Sequence, residues 1–123
     1  MQYNIYSILS NIYVFENDKA DAVECYKKML TYSRSAVDKI FALESLAKLY
    51  ALSGKYNDSL QTLFELIKYN KKSNYYFNIS LLYEDLNDYD NSVVYIRKAL
   101  ELEPNNKDYI NQLKNIESKI SAK

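Results

Sequence analysis

The sequence has no histidine and no tryptophan, and only one cysteine, one glycine and one proline in 123 residues. Catalytic triads, zinc sites and haem ligation draw on His or on several Cys, so those chemistries have no raw material here. With Gly54 as the single glycine, no dinucleotide-binding or Walker-type loop can be written, because such loops need several glycines to bring backbone N–H groups against a phosphate. The turns must therefore be few or built from Asn and Asp, which favours helices over a many-turned β fold. Cys25 has no partner for an internal disulfide, which suits a reducing cytoplasmic compartment. No apolar run approaches the roughly 18 residues of a membrane span. The apolar N-terminus carries no Lys or Arg before Lys19, unlike a signal peptide. Sixteen basic residues balance sixteen acidic ones, and the densest basic spot is only Lys68, Lys71 and Lys72. Neither nucleic acid nor a membrane is therefore expected as a partner.

What the chain has in quantity is tyrosine, 14 in all, and the tyrosines recur in register. Leu9-Ser10-Asn11-Ile12-Tyr13, Leu46-Ala47-Lys48-Leu49-Tyr50 and Ile79-Ser80-Leu81-Leu82-Tyr83 superimpose, and their tyrosines lie 37 and 33 residues apart. A turn follows each on the same count, at Asn17-Asp18, Gly54-Lys55 and Asn87-Asp88. A small residue then opens a second apolar segment, Ala22, Ser59 or Ser92, with Tyr26, Leu63 or Ile96 four residues on. Pro104 closes the last copy.

This pattern resembles the tetratricopeptide repeat, an aromatic followed by Leu-Gly, Tyr, Ala, an aromatic and a closing Pro. The third copy matches most fully, through Tyr76, Ile79, Ser80, Tyr83, Tyr89, Ser92, Ile96, Ala99 and Pro104. Ser or Ala stands where the family often has Gly, and Tyr or Leu where it often has Trp. The resemblance implies an all-α, right-handed α-solenoid of three helix hairpins, about residues 3–36, 40–72 and 73–106, with a capping helix at 107–121, forming a single domain over 1–123. The periodicity predicts helices over 3–16, 19–32, 36–53, 56–70, 73–86, 89–102 and 107–121. Antiparallel helices approach closely only where one side is small, so Ser10, Ala47 and Ser80 should face Ala22, Ser59 and Ser92. The last helix should turn Tyr109, Ile110, Leu113, Ile116 and Ile120 inward and Asn111, Gln112, Asn115 and Lys119 to solvent.

The resemblance further implies a non-catalytic scaffold that holds a partner protein or peptide in a concave groove lined by the first helix of each hairpin. The groove positions are then Asn4, Ser7, Asn11, Val14 and Phe15; Phe41, Glu44, Ser45, Lys48 and Leu52; Asn74, Phe77, Asn78, Leu81 and Asp85; and Asn111 with Asn115. Apolar members would seat partner side chains, and the Asn amides would hold a peptide backbone. Repeat domains of the family that clamp a chaperone's C-terminal carboxylate do so with groove Lys, Arg and Asn. The matching positions here are Ser7, Asn11, Ser45, Asn74 and Asn78, which supply no cation, so that ligand is disfavoured. No catalytic residue, cofactor or metal is expected. The acidic run Glu84, Asp85, Asp88 and Asp90 lacks the ligand spacing and turn glycine of a calcium loop and reads as a solvated turn. Two other readings stand beside the scaffold: self-assembly, with weak association through an uncovered N-terminal end at Tyr3 and Tyr6, and a regulatory segment of a larger protein.

Overall fold

A computed structural model describes residues 19–122, and the expected first helix, over 3–16, lies outside them. The described helices are α1 (Lys19–Tyr32), α2 (Ala36–Leu52), α3 (Tyr56–Tyr69), α4 (Ser73–Asp85), α5 (Tyr89–Leu102) and α6 (Lys107–Ser121). Each agrees with the expected span to within one residue. The chain divides into two compact units, Met1–Tyr69 and Asn70–Lys123.

Local chemistry starts and stops these helices. Ser35 caps α2 by accepting from the Asp38 amide, Asp88 caps α5 through Asn91, and Asn106 caps α6 by accepting from the amides of Asp108 and Tyr109. After α2, Gly54 turns at φ +77°, its N–H donating to Ala51 O, while Lys55 N–H reaches back to Tyr50 O at 2.8 Å. Thirty-three residues later the same two bonds close α4, from Asn87 to Glu84 O and from Asp88 to Tyr83 O, with Asn87 at φ +61°. Both are Schellman-type stops, in which one left-handed residue satisfies the last carbonyls. Asn is the non-glycine residue that tolerates this conformation best, which is how a chain with one glycine turns twice.

In the first unit α1 packs on α2 and α2 on α3. The core joins Ala22, Tyr26 and Met29 of α1 to Ala42, Leu46 and Leu49 of α2, with Val23, Leu30 and Tyr50 against it. Where α2 meets α3, the hydroxyl of Ser59 donates to the carbonyl of Ala47 at 2.7 Å, a buried bond between helices. The second unit repeats and strengthens this contact. Ser80 and Ser92 are both fully buried, and each hydroxyl donates to the other's carbonyl, at 2.9 and 2.8 Å. The expected facing pairs of these two hairpins are thus hydrogen-bonded as well as small, while the pair Ser10 and Ala22 lies partly outside the described residues. Around the serines, fully buried Ile79 and Ile96 each contribute about 1.5–3 kcal/mol of apolar burial.

Four substitutions test these contacts and turns by chemical denaturation. Ser80→Ala should destabilise by about 1–2 kcal/mol, since it removes the bond to the Ser92 carbonyl and the hydroxyl that Gln112 reaches, whereas Ser80→Leu should prevent the α4–α5 hairpin from closing. Gly54→Ala should cost about 1 kcal/mol from backbone strain alone, because a Cβ there would meet nothing within 4 Å, and Asn87→Gly should be neutral or slightly stabilising.

Candidate interaction surface

The apolar residues of α2 are more numerous than its core needs. Ala42, Leu46 and Leu49 are buried, yet Phe41 remains 43% exposed and Leu52 58% exposed on a different face. At 100° per residue, Phe41, Ser45, Lys48 and Leu52 form one narrow stripe along the helix. Phe41 is fixed edge-on to Tyr26, with ring centroids 6.1 Å apart at 67°, so its outer edge is held in place. Lys48 is exposed and Glu44 is half-buried beside the stripe. Of the expected groove residues, Phe41, Glu44, Lys48 and Leu52 therefore lie together on the first unit, while Asn4, Ser7, Asn11, Val14 and Phe15 fall outside the described residues.

On the second unit, Asn74, Asn78 and Asn111 are exposed and Leu81 is half-buried. Phe77 is half-buried, its ring packed on Tyr109 of α6 at 4.9 Å, beside the cluster of Ile96, Ala99 and Tyr109. It is partly consumed in seating α6. Asn115 is likewise engaged, its amide donating to Glu84 Oε2 at 2.9 Å.

Glu84 is the residue that sequence reasoning assigned to a solvated turn and that the structure puts to use. Its side chain is only 15% exposed. It accepts from Gln112 at 3.0 Å, from Asn115, and from Lys119, three residues of α6 spaced along one face. Gln112 also reaches the Ser80 hydroxyl at 3.4 Å, which ties α6 to the serine pair. At the other end of α6 the Tyr109 hydroxyl lies 3.0 Å from Ser73 Oγ, which itself donates to Glu103. The polar face assigned to solvent is thus partly turned inward, with Gln112 only 7% exposed. Nothing in the alternation of α6 signals this, because an amide is accepted at a buried position only where a partner waits across the interface. Asp88, also in the acidic run, is spent on capping α5.

Burial alone would raise the Glu84 carboxyl, but hydrogen bonds from Lys119, Gln112 and Asn115 outweigh it and hold the group below its usual value of 4.5. The same bond raises the Lys119 ammonium. Burial raises the Tyr83 phenol, with Tyr95 stacked at 5.7 Å and Asp88 nearby adding to it.

Consecutive antiparallel hairpins, closed at small residues and followed by a helix docked on the last pair, define an all-α helical-repeat protein of the solenoid class. Solved structures agree. A tetratricopeptide repeat protein from Parabacteroides merdae superposes with a TM-score of 0.89, covering 98% of this chain and 47% of its own at 16% identity. A MamA structure gives 0.82, covering 97% and 64% at 18% identity, so this chain spans 64% of that MamA chain. The first TPR of Spaghetti (RPAP3), bound to the HSP90 peptide SRMEEVD, gives 0.76 over 98% and 94% at 18% identity. At such identities the likeness is one of fold. No curated protein matches the sequence. The tetratricopeptide-repeat family model matches residues 3–35 and 73–106, and the chain belongs to the tetratricopeptide-repeat family.

The Glu84 contacts predict a pH dependence. The unfolded carboxyl takes up its proton first as pH falls, so the stabilisation is complete above about 4.5 and disappears as pH drops through the lower folded value. Glu84→Gln should therefore lower stability by about 1–2 kcal/mol at pH 7, with the difference from wild type shrinking toward pH 3 in thermal melts.

Proposed function

We propose that the chain is a non-catalytic protein-interaction module in which the exposed face of a hairpin's first helix, best offered by α2, binds a partner segment. The observation that carries this reading is the α2 stripe, where Phe41 and Leu52 stay exposed on a helix whose Ala42, Leu43, Leu46, Ala47 and Leu49 are buried. In the second unit, taken by itself, Asn74, Asn78 and Leu81 share one face of α4, and Asn111 is exposed on α6. Amides there can donate to and accept from a partner backbone, and the leucine gives an apolar seat. Two solved relatives by fold, the Spaghetti TPR and the TPR2AB domain of yeast Sti1, were captured with HSP90-derived ligands. The sequence positions that would clamp such a ligand's carboxylate carry Ser7, Asn11, Ser45, Asn74 and Asn78 here, so the partner of this chain is a different one.

Catalysis has no supporting constellation among the described residues: Cys25 is buried in α1, Ser59, Ser80 and Ser92 are spent on helix contacts, and Glu84 is spent on α6. A cytoplasmic setting fits the single cysteine.

Titration of the isotope-labelled chain with pooled synthetic peptides, followed by NMR shift mapping, tests the assignment. Perturbations should concentrate on Phe41, Lys48, Leu52, Asn74, Asn78 and Leu81. Shifts confined to the second helices, at Gln61 and Glu65 of α3 or Val94 and Arg97 of α5, would overturn it.

A further inference from the structure

The hairpins α2–α3 and α4–α5 are in register, and a place filled by a ring in the second is a cleft in the first. In the second unit Tyr76 and Tyr83 of α4 both stack on Tyr95 of α5, with centroids 6.3 and 5.7 Å away and planes 23° apart, and Lys98 stands over the Tyr95 ring. The residues at the matching positions of the first unit are Leu43, Tyr50, Thr62 and Glu65. The central ring is thus replaced by a threonine. There the first unit has a cleft of about 420 Å³, floored by Leu43, Leu46 and Tyr50 of α2 and bounded by Leu30 of α1 and by α3. Leu43, Leu46 and Thr62 are buried and Tyr50 is half-buried. On the helical wheel this floor lies on the opposite side of α2 from Phe41 and Leu52.

The charge of the cleft differs as well. Where Lys98 supplies a cation to the tyrosine stack, the first unit has the Glu65 carboxylate, and Asp58, Thr62 and Glu65 follow one line of α3 at intervals of four and three residues. Lys27, on the α1 side, faces Glu24 at 3.6 Å, and Glu65 itself faces Lys68 at 3.0 Å. Asp58 forms no ion pair among the described residues, with Lys55 three residues before it or with any other cation. The charge left uncompensated at the rim is therefore negative. We infer that the cleft between α1 and α3 is a small-molecule site for an arylalkylamine, a planar aromatic ring that lies over Thr62 against Tyr50 and Leu43 and carries an ammonium group toward Asp58. The ring takes the place that Tyr95 fills in the second unit, with Tyr50 as its stacking partner in the way Tyr83 serves Tyr95. An apolar floor supplies the burial, and the few polar groups at the rim set the orientation. This site goes beyond the protein-interaction reading and does not depend on it.

The test titrates the full isotope-labelled chain with phenethylamine, phenethyl alcohol and cyclohexylethylamine at low salt, followed by NMR shift mapping. Phenethylamine should perturb Leu43, Tyr50, Asp58, Thr62 and Glu65. Phenethyl alcohol, which keeps the ring and loses the charge, should bind about threefold more weakly, a preference of surface-pair size. Cyclohexylethylamine, which keeps the charge and loses the planar ring, should bind about fivefold more weakly. Thr62→Tyr supplies the chain's own ring and should abolish phenethylamine binding while the melting temperature is kept or raised. Asp58→Asn, at an exposed position, should reduce phenethylamine to the affinity of the alcohol. No perturbation of the cleft residues, equal affinity of the three probes, or undiminished binding by a folded Thr62→Tyr chain overturns the inference. Should Thr62→Tyr fail to fold, Asp58→Asn decides: loss of the amine's advantage supports the site, and an unchanged advantage overturns it.

Discussion

Everything in this chain depends on how closely two helices of a hairpin can approach. Small residues at the crossing permit it, and serine hydroxyls complete it by bonding to the carbonyl across the gap, Ser59 to Ala47 in one hairpin and Ser80 with Ser92 in the other. A larger side chain would push the helices apart, and a purely apolar small residue would give up the bond. With the crossing fixed, larger residues have defined places: Leu46 and Met29 beneath one hairpin, Ile96 and Tyr109 beneath the next. The scarcity of glycine is compatible with this architecture because Ser and Ala do the work of close approach. Glycine is then needed only at one left-handed turn, which Asn87 shows is open to asparagine too.

The second unit shows how a hairpin is finished. The helix α6 is seated by a seam that is apolar at Phe77, Tyr109 and Ile116 and polar at Ser80, Glu84, Gln112, Asn115 and Lys119. Glu84 gains three donors and, in exchange, fixes the axial position of α6. Among the described residues no buried side-chain polar atom lacks a partner, so the seam obtains its polarity without the penalty of an orphaned group. In the first unit, α2 keeps Phe41 and Leu52 exposed on one face with Lys48 between them.

The described helices were legible from spacing, since the periodicity of the apolar residues and the turns at Gly54-Lys55 and Asn87-Asp88 are local signals, while the capping roles of Ser35, Asp88 and Asn106 came from the structure. The facing small residues were legible too, because three copies in register average out local noise. Phe77 and Asn115 read like their neighbours Asn78 and Asn111 and were grouped with them as groove residues. The structure shows Phe77 packed on Tyr109 and Asn115 bonded to Glu84. Glu84 read as one more acid beside a turn. These roles depend on which residue of another helix lies opposite.

By itself the sequence determined the secondary structure, the repeat and its small-residue crossings, because each follows from residue type at a fixed interval. Only tertiary structure decided which face of α6 turned inward, that Gln112 would be buried and Asn111 left out, and that Glu84 would hold the helix in register. The physical reason is that burial of a polar side chain is settled by its partners across an interface, and those partners lie tens of residues away in the chain.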